Sequence, residues 1–435
     1  MLWGNGMLIL ILGSGLYFSV MTGFFQVRKF PVIIRETILS VFKENKADKK
    51  GKNLSQFQAM TTALAASMGT GNIAGVATAL VIGGPGAIFW MWVSAILGMM
   101  LVFSENVLGI YYRYKNKNGE WIGGPMVYIE RGLGMKRLGA AYAFFCILAS
   151  LGMGNLAQSN SISTALFSAF KIPSALSGVI ISVLAGIVII GGLKKVGEVA
   201  EKVIPIVSIL YILGSIIAIV LNFKEIPHAF KSIFSGAFGI MPAAGGVSGV
   251  LVKNAASAGV RRGIFSNEAG LGSSAIVHAS SEAGGTVRQG MWGIFEVFVD
   301  TIVCCTLTAL VLLSSGVLEA GAGLDGAPLV IAAFSKSFGG FAGIFVSASL
   351  SLFAFATLIG WSFYGAKAAE YLFGTKKVIF YKIIFSAGIF IGAVLEIEMA
   401  WRISDIFNGL MALPNLVALL LLSKVVLTEI GNFKK

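Results

Sequence analysis

Residues 57 to 81 read FQAMTTALAASMGTGNIAGVATALV, a stretch long and apolar enough to cross a bilayer, yet its middle carries Gly69, Thr70, Gly71, Asn72 and Gly75. A glycine inside a helix costs about 1 kcal/mol relative to alanine. Backbone groups released within hydrocarbon stay unsatisfied unless protein, water or a ligand takes them. Close helix packing also selects small residues, which accounts for the glycines but not for Thr70 and Asn72 between them. The stretch is therefore expected to be a helix broken at mid-membrane, with a small polar or charged ligand completing its freed peptide groups.

The rest of the chain agrees with a membrane setting. Of 435 residues, 56% are hydrophobic and 12% charged, well below the quarter typical of soluble domains. Eleven apolar spans are expected, at about 5–25, 58–82, 86–112, 140–169, 174–192, 203–222, 238–280 with an interruption, 289–316, 340–371, 378–396 and 403–425. In a soluble chain the net charge of +13 would suggest nucleic acid, but the basic residues lie in loops, so no nucleic-acid partner is expected. With the N-terminus outside and the C-terminus inside, alternating spans put every basic residue on the cytoplasmic side except Lys171, Lys224, Lys231, Lys253, Lys336 and Arg402. The first span lacks the basic leader and small-residue cleavage site of a signal peptide and is expected to remain. Cys146, Cys304 and Cys305 sit in apolar stretches without disulfide or metal spacing and read as packing residues.

A single transmembrane domain is expected. Residues 1–57 form an extra helix and a basic linker, KENKADKKGK at 43–52, while 58–222 and 223–435 each hold five spans that open with a glycine-interrupted segment. An odd number of spans per half inverts one half against the other, and interrupted helices at matching positions point to a transporter site. The second interruption falls either at Ala256–Gly259 or at Phe265–Gly272. Gly123, Gly124 and Pro125 mark a turn before a short amphipathic piece, read as a cytoplasmic gate, a surface helix or an ordinary loop.

Other function classes find little support. His228 and His278 are the only histidines, and there is no HExxH, phosphate-loop or GxSxG motif for a membrane enzyme. His278 reads as a packing or interfacial residue. A channel would line a path with repeated polar rings or carbonyl filters, whereas polarity here gathers at the paired breaks.

The segments GTGNIAGVATALVIGGPGAIFWMW, GGPMVYIERGLG, GNLAQSNS, FSNEAGLGSSA and MALPNLVALLLLS resemble, over essentially the whole chain, the alanine or glycine:cation symporter family of amino-acid carriers. The resemblance implies an all-α membrane protein with a LeuT-type 5+5 inverted repeat and one added N-terminal helix. It also implies sodium-coupled uptake of small neutral amino acids such as alanine or glycine; a proton-coupled carrier, or one for glutamine, stands as the alternative. By the same resemblance the N–H groups of Thr70 and Gly71 would take the substrate carboxylate, as freed N–H groups at a half-helix N-terminus suit an anion. Asn72 would add a donor, orient the turn or cap the half-helix. Ser67, the second broken helix around Gly259 or Phe265, and Gln158 would face the rest of the substrate. Phe265, Phe355 and Trp361 are candidate pocket walls. Fold analogy places sodium among the carbonyls of Ala65, Met68 and Ala354 and the hydroxyl of Thr357, hard oxygen donors suited to the ion. No organic cofactor is expected. The lipid bilayer is the surrounding partner; self-association is left open.

Carboxylates near mid-membrane are costly, roughly 2.5 to 3.5 kcal/mol each on an insertion scale. Glu268 is expected to pair with Arg261 or Arg262 near the inner mouth. Glu105 and Asp300 match family patterns as structural partners or proton relays. Glu296 stands where the family's pattern has a small uncharged residue, four positions from Asp300, so the two are expected to share a helical face and one of them to hold a proton.

Overall fold

A computed structural model describes residues 4–41, 53–239, 248–282, 284–318 and 323–433; the basic linker at 43–52 lies outside them. Helix α1 (Asn5–Met21) precedes the first broken pair, α2 (Gln56–Ser67) and α3 (Ala74–Gly83). Then come α4 (Gly86–Tyr112), a two-stranded hairpin of β1 (Tyr114–Lys115) and β2 (Trp121–Ile122), and α5 (Pro125–Leu133). The hairpin is antiparallel, with Tyr114 opposite Ile122. Helices α6 (Lys136–Phe170), α7 (Ser174–Ile190) and α8 (Gly192–Leu221) complete the first half.

The second half opens with helix α9 (Ile226–Phe238), so residue 238 ends that helix and does not open the span expected from there. Its broken pair is α10 (Ser248–Asn267) and α11 (Ser273–Ala279), followed by α12 (Thr286–Ser314). Helices α13 (Gly326–Phe338), α14 (Phe341–Phe373), α15 (Val378–Val394), α16 (Ile397–Leu421) and α17 (Ser423–Phe433) close the chain. Each of the eleven apolar stretches is largely helical, and seven helices are individually long and apolar enough to cross a membrane. The two broken pairs are not among these, as interruption requires.

Local chemistry sets the ends. Ser55 caps α2 by accepting from Gln58 N–H while the Gln58 side chain accepts from Ser55 N–H, a reciprocal capping box. Met68 and Gly69 then leave helical geometry, with ψ of 79° and −139°. Pro125 opens α5 at a position where its missing N–H costs nothing. The buried run Pro125–Ile129 shows that this amphipathic piece is packed into the protein by one face.

The interruption in the second half falls at Glu268–Gly272, not at Ala256–Gly259. Glu268, Gly270 and Gly272 have φ of +57°, +88° and +76°, left-handed backbone that ends α10. Gly259, expected at a substrate contact, instead lies inside unbroken helix against α4. A methyl group there would stand 2.1 Å from the Ala87 carbonyl oxygen. Gly360 plays the matching part where α14 crosses α2, 2.8 Å from the Ala66 nitrogen by the same construction. These close approaches let backbones pack where side chains would hold them apart.

Gly259→Ala is expected to lower the thermal midpoint of the purified protein, by an overpacking cost of about 1 to 3 kcal/mol. Gly249→Ala, on the same helix with open space around it, should leave the midpoint unchanged or raised. Equal behaviour of the two variants in a detergent melting assay would contradict the packing assigned to Gly259.

Candidate functional site

The two breaks meet. A methyl built on Gly71 would stand 3.2 Å from the Ser266 Cα and 3.5 Å from the Phe265 ring, so the first break presses its bare backbone on the end of α10. On its other side, the same construction at Gly69 reaches the Thr357 hydroxyl at 2.6 Å and the Gln158 Oε1 at 3.1 Å. Thr70 N–H points to Gln158 Oε1 at 3.5 Å, a long contact. The Gln158 amide donates in turn to the Met153 carbonyl at 3.1 Å, within a π-helical turn at Gly152–Leu156. Such a turn widens the helix and frees a carbonyl to face a site. Thr70 Oγ1 is buried and has no hydrogen-bond partner among the described residues.

Asn72 neither caps α3 nor faces open space. Its amide donates to the Asp300 carbonyl at 2.9 Å and carboxylate at 2.7 Å, while the Thr308 hydroxyl donates to the Asn72 carbonyl at 2.8 Å. Of the roles open to it, orienting the turn is the one these contacts serve. The Ser67 carbonyl accepts Gly69 N–H at 2.8 Å, and its half-buried hydroxyl approaches the Leu64 carbonyl.

Of the four expected sodium ligands, two lie in direct contact: Thr357 Oγ1 is 2.9 Å from the Ala65 carbonyl and 3.1 Å from that of Phe353. Met68 ends α2, and Ala354 is buried on α14 three residues before Thr357, in an apolar cluster with Ile162, Ile181 and Ile389. Among the aromatic candidates, Phe265 is at the break. Trp361 is fully buried and donates from Nε1 to Glu268 at 2.7 Å. Phe355 is half-buried and packs into the apolar clusters beside Ile147, Leu151 and Leu166.

The buried carboxylates depart from expectation. Glu268 pairs with neither Arg261 nor Arg262; it accepts from Trp361 and from Ser273 at 2.5 Å. The arginines precede the break on α10 and line a cavity of about 320 Å³ with Ile82, Phe265 and Asp405. Ile82 ends the first broken helix, so this cavity opens on the side opposite the one where Leu54 pairs with Ser281. The arginines therefore lie on the side away from the Leu54–Ser281 bridge, which is the outer one if the N-terminus is outside.

Glu296 does not face Asp300 either. Its oxygens meet the His278 Nε2 and, at 2.8 Å, the Ser274 hydroxyl, while His278 Nδ1 meets the Gln289 amide. An amide N–H donating to Nδ1 leaves Nε2 as the N–H donor to the carboxylate. Asp300 accepts from Asn72, Ser266 and Thr301 instead. A π-helical run at Phe298–Cys305 begins between the two carboxylates. His278, read from sequence as a packing residue, is thus a buried polar junction; its spacing to Glu296 carries no helical signal because the two lie on different helices.

Three carboxylates converge on the start of α11: Glu105 Oε1 accepts Gly272 N–H at 3.1 Å, Glu268 the Ser273 hydroxyl, and Glu296 the Ser274 hydroxyl. Asn415 donates to Glu105 at 2.7 Å and to the Gly270 carbonyl at 2.9 Å, with Tyr128 donating to the Asn415 oxygen. Tyr142 donates to the Leu271 carbonyl at 2.9 Å. The second break is thereby completed by protein.

Removing His278 leaves Glu296 Oε1 as a buried acceptor without its donor, a loss of about 1 to 3 kcal/mol. His278→Ala should therefore melt well below the parent. The added change Glu296→Gln, which removes the charge, should recover part of the loss. Strictly additive midpoints in the double variant would show that the two side chains do not act on each other.

Comparison with known proteins places this geometry. A crystal structure of MhsT in complex with L-phenylalanine aligns with a TM-score of 0.61 at 14% identity, covering 86% of this chain and 90% of that one; the fold is of the LeuT type. The chain is similar to the sodium/alanine symporter AgcS of Methanococcus maripaludis, 43% identical over all of this chain and 95% of that protein. It is also similar to the probable sodium/glutamine symporter GlnT of Bacillus subtilis, 38% identical over all of this chain and 89% of that one. The family described as the sodium:alanine symporter family matches residues 1–435. The chain belongs to that family: it is a multi-pass, sodium-coupled amino-acid symporter, a transporter and not an enzyme.

Proposed function

We propose that this symporter takes up a small neutral amino acid, alanine or glycine, with one sodium ion, by alternating access between the 58–222 and 223–435 halves. The observation that carries this reading is the first break. It holds a buried hydroxyl without a partner, Thr70 Oγ1, between Gln158 and Thr357. The substrate carboxylate binds at the backbone of Thr70 and Gly71, where peptide dipoles favour an anion. The Phe265 ring beside Gly71 limits the side chain that fits. The relation to a sodium/alanine symporter supports alanine.

Sodium sits between α2 and α14, with the Thr357 hydroxyl turned to present a lone pair beside the carbonyls of Ala65, Met68 and Ala354. Binding there draws together the helices that flank Gly69, and so sets the geometry of the turn that meets the substrate. This is how the ion favours the state that binds amino acid. The site carries no formal charge of its own, so each cycle moves one positive charge with a zwitterion. Across about 100 mV that is worth about 2.3 kcal/mol, or roughly 50-fold accumulation. The N-terminus lies outside and the C-terminus inside, as the basic loops favour.

The test is counterflow in proteoliposomes with a panel including alanine, glycine and glutamine, in sodium, lithium and a proton gradient. Exchange of alanine or glycine in sodium is expected; exchange of glutamine alone, or exchange driven by protons without sodium, would overturn the substrate or ion assignment. Gly71→Leu should abolish uptake while the protein still inserts. Thr357→Val should raise the sodium concentration for half-maximal uptake by about tenfold, the effect of losing one ion ligand worth roughly 1.4 kcal/mol. Normal alanine uptake by Gly71→Leu, or an unchanged sodium dependence in Thr357→Val, would remove those residues from the site.

A further inference from the structure

A second cavity, of about 290 Å³, lies far from the breaks, between the ends of α7 and α14 and the starts of α8 and α15. Its polar end is lined by Lys367, Lys376, Lys382, Thr375, Glu120 and Glu370. The two carboxylates are already engaged. Lys367 is buried and lies 3.3 Å from Glu120 and 2.9 Å from Glu370, and the Asn116 amide donates to both, at 3.2 and 2.8 Å. Lys376 and Lys382 have no carboxylate within 4.0 Å among the described residues. Lys376 is exposed, but Lys382 is half-buried. Glu120 acts on Lys382 only at longer range than an ion pair, and Lys367 opposes it; a partly desolvated cation in that position favours an anion beside it.

The other wall is apolar: Ile189, Leu193, Val196, Phe363 and Ile379. It runs onto the outer surface, where Ile190, Ile379, Phe380 and Ile383 are exposed by 46 to 69% in helices that face lipid. Glu120 belongs to the hairpin that meets Asn53 through the Trp121 N–H, so the cavity lies on the face where Leu54 pairs with Ser281. That face is cytoplasmic in the orientation proposed above.

We propose that this cavity binds the phosphate of an anionic glycerophospholipid from the cytoplasmic leaflet. Lys376 and Lys382 contact the phosphate, and the first acyl carbons cover the apolar wall. A phosphate is the shared chemistry of a lipid head group and of the soluble anion. The wall's continuity with the lipid-facing surface selects the lipid, because inorganic phosphate would leave that wall uncovered. Basic pockets between helices at the cytoplasmic edge suit such head groups. The Lys367–Glu120–Glu370 cluster forms the back of the site, with Lys367 and the Asn116 amide holding both carboxylates.

The experiment uses the full chain, stripped of lipid in detergent and titrated with phosphatidylglycerol or phosphatidylcholine, with retained lipid counted by native mass spectrometry. The parent should retain phosphatidylglycerol in preference to phosphatidylcholine. Lys376→Gln with Lys382→Gln should weaken that retention by about thirtyfold, the combined effect of two lysines near an anionic lipid. Lys136→Gln with Arg137→Gln removes the same charge from exposed positions at the start of α6 and should leave the preference intact. Retention unchanged in the first variant, or lost equally in the second, would overturn the proposal. So would displacement of phosphatidylglycerol by millimolar inorganic phosphate, which would assign the cavity to the soluble anion.

Discussion

Peptide groups released inside a membrane must find partners, and the way each break finds them organises this molecule. At the second break protein side chains supply several of them: Asn267 accepts Ala269 N–H, Glu105 accepts Gly272 N–H, and the carbonyls of Gly270 and Leu271 are met by Asn415 and Tyr142. At the first break the protein stops short. Thr70 makes only a long contact to Gln158 and keeps a buried hydroxyl without a partner. Two breaks of the same kind thus divide the work, one braced by side chains and the other open to a ligand.

The braces explain the carboxylates. The proposed sodium site contains no carboxylate. Glu105, Glu268, Glu296 and Asp300 are instead spent on hydrogen bonds to backbone, serine, threonine, asparagine and tryptophan donors. Asp300 is the link between the two halves of the site, since Asn72 of the first break and Ser266 at the end of α10 both donate to it. Asp300 thus ties the two breaks to one another beside the direct approach of Gly71 to Ser266, and Trp361 ties α14 to Glu268. Coupling of this kind needs a contiguous set of contacts with few alternatives.

Much of this was legible in the sequence where the signal is local. The eleven apolar stretches and the first break follow from hydropathy and from glycine next to Thr70 and Asn72, both properties of short windows. The second break was legible only as one of two positions, because AASAGVRRG and FSNEAGLG carry similar glycine content. What separates them is packing: Gly259 is small because Ala87 is close, while Gly270 and Gly272 are small because their backbone is left-handed. The partners of Glu268, Glu296 and His278 were not legible, since each lies on another helix. The π-helical run at Phe298–Cys305 has no composition of its own.

The same reasoning separates what holds the scaffold from what moves. Hydrogen bonds that complete a backbone inside a membrane are costly to break without a substitute, so the second break, with its three carboxylates and two tyrosines, resists opening from within. The first break has fewer such ties beyond Asn72, and its nearest neighbours, Thr357 and Gln158, present oxygens that an ion or a substrate would engage in place of one another. Exchange of one oxygen partner for another costs little compared with exposing a bare peptide group to hydrocarbon. In the proposed cycle the chain around Gly69 and Gly71 is therefore where occupancy would be converted into shape, and a single methyl at Gly69 would already meet the Thr357 hydroxyl at 2.6 Å.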